Sequence, residues 1–190
     1  MLTPRRAALL DRDGVLNPSP FRDGRPRAPR TLEEFQPHPW SRVAVAALHE
    51  AGLLCLVVTN QPDVATGALD PRVLDAMHER LVREVGVDAV YVCPHTSDDR
   101  CDCRKPRPGL LRSAAADWNV DLLASFMVGD RPTDIEAGHA AGCVTILVDG
   151  PENGTAEPHY RASSLLSAAG TILSLTRDAN ETFRRLCQPV

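Results

Sequence analysis

The stretch on which the fold turns is Ala7-Ala8-Leu9-Leu10-Asp11-Arg12-Asp13-Gly14-Val15-Leu16-Asn17. Its first four residues are apolar without alternation, the pattern of a strand buried on both faces, which is typical of parallel sheets covered by helices. An acidic turn follows at once. Working outward, strand-length apolar runs recur at 53–59, 88–93, 125–129 and 144–148. Between them, 41–51, 70–85, 109–119 and 133–141 place apolar residues at helical spacing, as in Val73, Met77, Leu81 and Val85. Asp70 before Pro71 reads as an N-cap before a first-turn proline. The β-α alternation predicts an α/β fold, a three-layer αβα sandwich on a doubly wound parallel sheet. Its crossovers are right-handed, and ligands bind beyond the carboxyl ends of the strands. Residues 18–39 and 149–159 read as long loops and 163–187 as one or two closing helices. The organisation expected is one domain over 1–175, with no insertion long enough for a large cap domain, and a C-terminal helical extension of it over 176–190.

Composition narrows the class of function. The chain has 190 residues, 43% hydrophobic and 24% charged, which suits one globular domain with a sizeable core. Twenty-one basic against 25 acidic residues give a net charge of -4, so there is no global basic field for nucleic acid or an anionic membrane. The apolar stretches fall short of the roughly 20 residues of a membrane helix. The N-terminal residues carry no long apolar secretion core. A cytoplasmic monomer acting on a small molecule is the expectation.

The carboxyl ends of the predicted strands gather polar residues on one rim. The first supplies Asp11 and Asp13, the second Thr59, Asn60 and Gln61, the fourth Asp130, Arg131 and Asp134. Lys105, the only lysine in the chain, precedes the helix before the fourth strand. Four carboxylates converging there call for a hard divalent cation with oxygen ligands, Mg²⁺. For Asp134 the alternative is an ordinary helix N-terminal acid, and for Asp13 a turn-forming residue before Gly14.

A second group is Cys93-Pro94-His95 followed by Cys101-Asp102-Cys103. Three thiolates and an imidazole at loop spacing make a tetrahedral Cys₃His set that suits Zn²⁺. Four protein ligands leave no open position, so this zinc is structural, folding the loop 93–103 that leads into Arg104 and Lys105. A disulfide is the alternative, and a reducing cytoplasm argues against it. Cys55, Cys143 and Cys187 read as core filler.

Asp11-x-Asp13-Gly14-Val15-Leu16, Thr59-Asn60, Lys105 and Gly129-Asp130-x-x-x-Asp134 together resemble, in order, the four motifs of the haloacid dehalogenase superfamily of aspartate-nucleophile phosphatases. The resemblance implies that Asp11 is the nucleophile and forms an aspartyl-phosphate, and that Asp13 is the general acid and base. It implies that Asp11, the Asp13 carbonyl and Asp130 bind Mg²⁺ with Asp134 in support behind them, while Thr59 and Lys105 hold the phosphoryl oxygens. All three of Asp11, Asp13 and Asp130 are present, which argues against a silent binding module on the same fold. A zinc-dependent nucleic-acid module would bring a basic, aromatic-bearing face, and aromatics are only 4% of the chain.

The zinc loop resembles the group that contains heptose bisphosphate phosphatases and histidinol-phosphate phosphatase domains. Cys103-Arg104-Lys105-Pro106 and the run 125–130 look like the heptose branch, in which the arginine recognises a second phosphate. The short gap between His95 and Cys101 looks like the histidinol-phosphate branch. Substrate contacts are expected from Asn60, Gln61, Arg104 and Arg131. Pro62 stands where the heptose family has a serine, and the segment 21–27 replaces its Gly-Tyr element.

Overall fold

The computed structural model describes residues 3–186 of the chain. In chain order the elements are β1 (Ala7–Leu10), β2 (Phe21–Arg22), β3 (Arg25–Pro26), α1 (Ser41–Glu50), β4 (Leu54–Asn60), α2 (Pro62–Ala65), α3 (Pro71–Glu84) and β5 (Ala89–Cys93). They continue with α4 (Gly109–Trp118), β6 (Phe126–Gly129), α5 (Pro132–Ala141), β7 (Val144–Val148), β8 (Tyr160–Ala162) and α6 (Leu165–Leu186). Six strands form one parallel sheet in the order β5-β4-β1-β6-β7-β8.

β1 shows why the unbroken apolar run matters. Ala8 and Leu10 point into a core with Val45 and Leu48 of α1, Met77 and Leu81 of α3 and Ile172 of α6. Ala7 and Leu9 point the other way, into a core with Leu110, Leu111 and Ala114 of α4 and Ala137 of α5. Both faces of the strand are dry, so neither can carry a polar residue until the strand ends. At about 1.5–3 kcal/mol per buried leucine, these contacts fix the register of the central strand. Leu10 stands level with Val57 of β4 and Val128 of β6. The order in which strands are added reverses at β1: β4 and β5 lie to one side, β6, β7 and β8 to the other. A crevice therefore opens at its carboxyl end.

Two features depart from the expectations. The segment 18–39 is not all loop, since β2 and β3 form an antiparallel hairpin. A sixth strand, β8, closes the sheet beyond β7. Its Tyr160 and Arg161 are exposed, and a three-residue charged edge strand carries no apolar period to betray it while discouraging further pairing. The closing segment is one helix, α6, the simpler of the two arrangements expected of it. The end of the predicted extension, 187–190 with Cys187, lies outside the described residues. Cys55 and Cys143 are buried, as core filler should be.

Candidate active site

The site is built from the turn after β1. Asp11 continues the strand, its amide donating to the Val128 carbonyl at 2.8 Å, so its carboxylate stands at the mouth of the crevice. Gly14 then turns the chain with φ of +92°, and a Cβ here would lie 2.1 Å from Asp130 Oδ2. Only glycine allows both that conformation and that approach. After β6, Gly129 is similarly constrained, because a Cβ would meet the Asp134 Cβ at 2.2 Å. The two glycines let the β1 and β6 turns close on one another.

Asp11, Asp130 and Asp134 offer carboxylate oxygens within 4.8 Å of one another, all three buried. Lys105 Nζ reaches in with 2.8 Å to Asp11 Oδ1, 2.6 Å to Asp134 Oδ1 and 2.7 Å to the Val58 carbonyl. One ammonium against three carboxylates leaves the cluster short of positive charge. Burial, then the Asp11 and Asp134 charges, push Asp130 up to about 8. Burial raises Asp11 to about 6, with Lys105 pulling against it and Asp134 and Asp13 adding to it. Burial by itself would lower Lys105, but the Asp11 and Asp134 charges outweigh it and hold the ammonium protonated above its ordinary range. Asp130 Oδ1 is buried with no protein hydrogen-bond partner. An oxygen-only donor set with one orphaned carboxylate oxygen fits a hard divalent cation such as Mg²⁺.

Asp134 serves the helix end and the carboxylate cluster at once. Its Oδ2 accepts from the Arg131 amide at 3.1 Å, closing a capping box at the start of α5, while its Oδ1 holds Lys105.

Asp13 sits in a different environment. Arg12 donates to it from Nε at 3.0 Å and Nη2 at 2.8 Å, Asn17 Nδ2 at 2.9 Å and Gln61 Nε2 at 2.8 Å. Burial works to raise its pKa, but the Arg12 charge and these hydrogen bonds outweigh it and hold Asp13 below the usual carboxylate range. Arg12 is fully buried, lies 5.4 Å from the centre of the Phe35 ring and contacts His78 Nε2 at 3.1 Å. Burial, then the Arg12 charge, lower His78 to about 3, so it faces the guanidinium as a neutral ring.

The other expected residues separate into cleft and support. Asp11, Asp13, Asn60, Arg104, Lys105, Arg131 and Asp134 all line one cleft of about 450 Å³. Asn60 also clamps Lys105, donating to its carbonyl at 3.0 Å and accepting from its amide at 3.1 Å. Gln61 is not at the cleft wall: it is fully buried and joins Asp13 to Thr59 Oγ1, 2.9 Å away. Thr59 is itself 1% exposed.

The thiol group converges too. Cys93, Cys101 and Cys103 are free, with Sγ atoms 3.3–3.6 Å apart, and His95 Nδ1 lies 3.6 Å from Cys93 Sγ and 3.3 Å from Cys103 Sγ. These are the edges of a tetrahedron, and the set could hold zinc. The sulfurs are far too distant for a disulfide. Arg104 follows directly and donates from Nη1 to the His95 carbonyl at 3.0 Å, which ties the cleft wall to the thiol loop.

Two supports were not legible in sequence. Arg12 falls between two acidic motif residues, where alternation gave no reason to single it out. Asn153, in the loop 149–159, donates to the Asp130 carbonyl at 2.8 Å and the Val148 carbonyl at 2.9 Å. Nothing but its residue type marks it.

The chain is similar to known proteins over most of its length. A family model for HAD-hydrolase-like proteins matches residues 102–168. The D-glycero-beta-D-manno-heptose-1,7-bisphosphate 7-phosphatase of Pseudomonas aeruginosa is 44% identical over 149 residues, covering 76% of this chain and 81% of that protein. The D-glycero-D-manno-heptose-1,7-bisphosphate 7-phosphatase of Thermosynechococcus vestitus is 35% identical, covering 87% and 94%. Among solved structures, the D,D-heptose 1,7-bisphosphate phosphatase of Bordetella bronchiseptica, complexed with magnesium and phosphate, matches with a TM-score of 0.79 at 34% identity. It covers 90% of this chain and 99% of that one. With an aspartate cluster at the switch point of its sheet and relatives this similar over most of their length, the chain belongs to the haloacid dehalogenase superfamily, in its family of heptose-1,7-bisphosphate 7-phosphatase-like phosphatases.

Proposed function

We propose that the protein hydrolyses the 7-phosphate of D-glycero-D-manno-heptose 1,7-bisphosphate through an aspartyl-phosphate on Asp11. The observation that carries this reading is the Asp11, Lys105, Asp134 and Asp130 cluster opening into a cleft whose wall also presents Arg104. Asp11, Asp130 and the Asp13 carbonyl would hold Mg²⁺, supported by Asp134. The ion supplies positive charge that brings an anionic phosphate up to an anionic nucleophile.

The chain's own residues account for the remaining steps. Lys105, anchored on three sides, sets the Asp11 carboxylate and neutralises a phosphoryl oxygen. An Asp11 oxygen attacks phosphorus in line, and the phosphorus–ester oxygen bond breaks. Asp13, once protonated, gives its proton to the departing sugar oxygen. In the second half Asp13 takes a proton from water, whose oxygen attacks phosphorus and releases phosphate, restoring Asp11. Arg12, Asn17 and Gln61 keep Asp13 oriented throughout. Arg104 contacts the phosphate that is not cleaved, and Asn60 and Arg131 shape the wall around the sugar.

The test is a set of initial rates with Mg²⁺ on the heptose bisphosphate anomers, histidinol phosphate and small sugar monophosphates. A preference of at least tenfold in kcat/KM for a heptose bisphosphate is expected. Outright preference for histidinol phosphate would transfer the assignment to that substrate.

A further inference from the structure

We infer that Arg27, which follows the hairpin of β2 and β3, is a specificity-determining residue that closes on the uncleaved phosphate from the wall shared with Arg104. This deepens the heptose bisphosphate reading and rests on it.

The argument is a charge inventory of the cleft. Among the described residues, every acidic side chain lining it already has a basic partner. Asp11 and Asp134 hold Lys105, Asp13 holds Arg12, Asp63 holds Arg30 at 2.6 Å and Glu152 holds Arg131 at 3.1 Å. Of the four basic side chains lining it, Lys105 and Arg131 are consumed in those pairs. Arg27 and Arg104 remain, neither with an acidic partner. Two guanidiniums on the wall of one cleft, neither neutralised by a carboxylate, are a site for an anion beyond the one transferred at Asp11. Arg104 has one edge committed to the His95 carbonyl, so it has fewer donors left for a phosphate dianion. A second guanidinium completes the set.

The hairpin's other arginines show that Arg27 is not merely another clamp. Arg22 donates to the Ala28 carbonyl at 3.0 Å and pairs with Glu34, while Arg30 pairs with Asp63 on α2. The Arg22 contacts close the segment on itself across Arg27, and the Arg30 pair ties it to α2. Arg27 is held by its backbone, its amide donating to the Pro20 carbonyl at 2.9 Å, while its side chain is exposed in the cleft. Its neighbours are spent on holding the segment, and its own guanidinium is left for a ligand.

The experiment compares D-glycero-D-manno-heptose 1,7-bisphosphate with the 7-monophosphate on the metal-loaded enzyme. Arg27→Ala is expected to raise KM for the bisphosphate at least tenfold and for the monophosphate less than twofold, with kcat changing less than threefold on both. Inhibition by the product heptose 1-phosphate, which keeps only the uncleaved phosphate, should weaken at least tenfold. Arg25→Ala, on the same hairpin but outside the cleft lining, should change none of these. Equal KM shifts on the two substrates, or unchanged product inhibition, overturn the role of Arg27. A wild-type enzyme with no preference for the bisphosphate overturns the substrate reading itself, and does so before any variant is made.

Discussion

The carboxylate cluster and the thiol cluster lie on either side of Lys105 and are built in opposite ways. Asp11, Asp130 and Asp134 stand at the ends of β1 and β6 and the start of α5, elements packed into two apolar cores. Their scaffold buries the carboxylates and brings like charges together, and burial first, with those charges adding to it, raises Asp11 to about 6 and Asp130 to about 8. Only Cys93 of the thiol set sits in a regular element, the end of β5, and the other three ligands are in loop. There, burial raises Cys93 to about 12, while at Cys101 burial is outweighed by hydrogen bonds from Cys103, the Arg104 backbone and Cys93, which together lower it to about 7. The scaffold makes the first site, and a cation then relieves it. The second site has to be made by its own ligands, so a metal there contributes folding energy.

If the first cluster is catalytic, its substitution should be the most damaging to turnover and mild for the fold. Asp11→Asn is expected to lower kcat at least a thousandfold, about 4 kcal/mol of barrier, with an unchanged circular dichroism spectrum. A variant retaining a tenth of wild-type kcat would end the covalent role.

Asp13→Asn sharpens the division of labour inside that cluster. Loss of a general acid costs about 10²- to 10⁴-fold on an alkyl phosphate, whose leaving oxygen needs a proton. An activated aryl phosphate leaves without one and should suffer at least tenfold less. Equal losses on the two substrates would assign Asp13 to positioning.

For the thiol cluster the order of effects should invert. Cys103→Ser is expected to release zinc and to lower Tm by roughly 5–10 °C, at about 2–4 °C per kcal/mol for a chain of this size. Activity should fall with it, about ten- to hundredfold, because Arg104 and Lys105 follow the loop directly. Mild chelation should stop turnover reversibly through Mg²⁺ and leave the zinc bound. Zinc that exchanges without any change in Tm would break the contrast between the two sites.

The same contrast explains what could be read before the structure. Five of the six strands and the four motif elements were legible, the central ones because β1, β4 and β6 are dry on both faces, so their first polar residues had to mark strand ends. Cys93, His95, Cys101 and Cys103 were legible because few chemistries other than a metal bring those residue types so close in sequence. β8 was hidden because an exposed edge strand has no apolar period, and the β2 and β3 hairpin because two-residue strands leave none to detect. Gln61 was misplaced for a related reason. Its neighbour Asn60 does face the cleft, but the backbone turns at the end of β4, and Gln61 points inward to bind Thr59 and Asp13.

The smallest effect concerns how protons and the cation compete at the carboxylates. Asp11 and Asp130 have folded pKa values of about 6 and about 8, above the 3.8 of a free carboxyl. In the metal-free protein these groups stay protonated in the native state after the unfolded chain has ionised. The stability they contribute is therefore complete below pH ~4 and is lost as pH rises toward ~8, with no further change above. Mg²⁺ must displace those protons, so its affinity should run the other way, tightening about fivefold between pH 7 and pH 8 and about twofold more before levelling off near pH ~9. Titration calorimetry across pH 6 to 9 in two buffers of different ionisation enthalpy would read both the affinity and the protons released. The Tm increment produced by saturating Mg²⁺ should likewise be larger at pH 8 than at pH 6. A flat affinity with no proton release would mean that the carboxylates are already ionised without the cation. Lys105 alone would then balance the cluster, and the comparison with the thiol site would lose its physical basis.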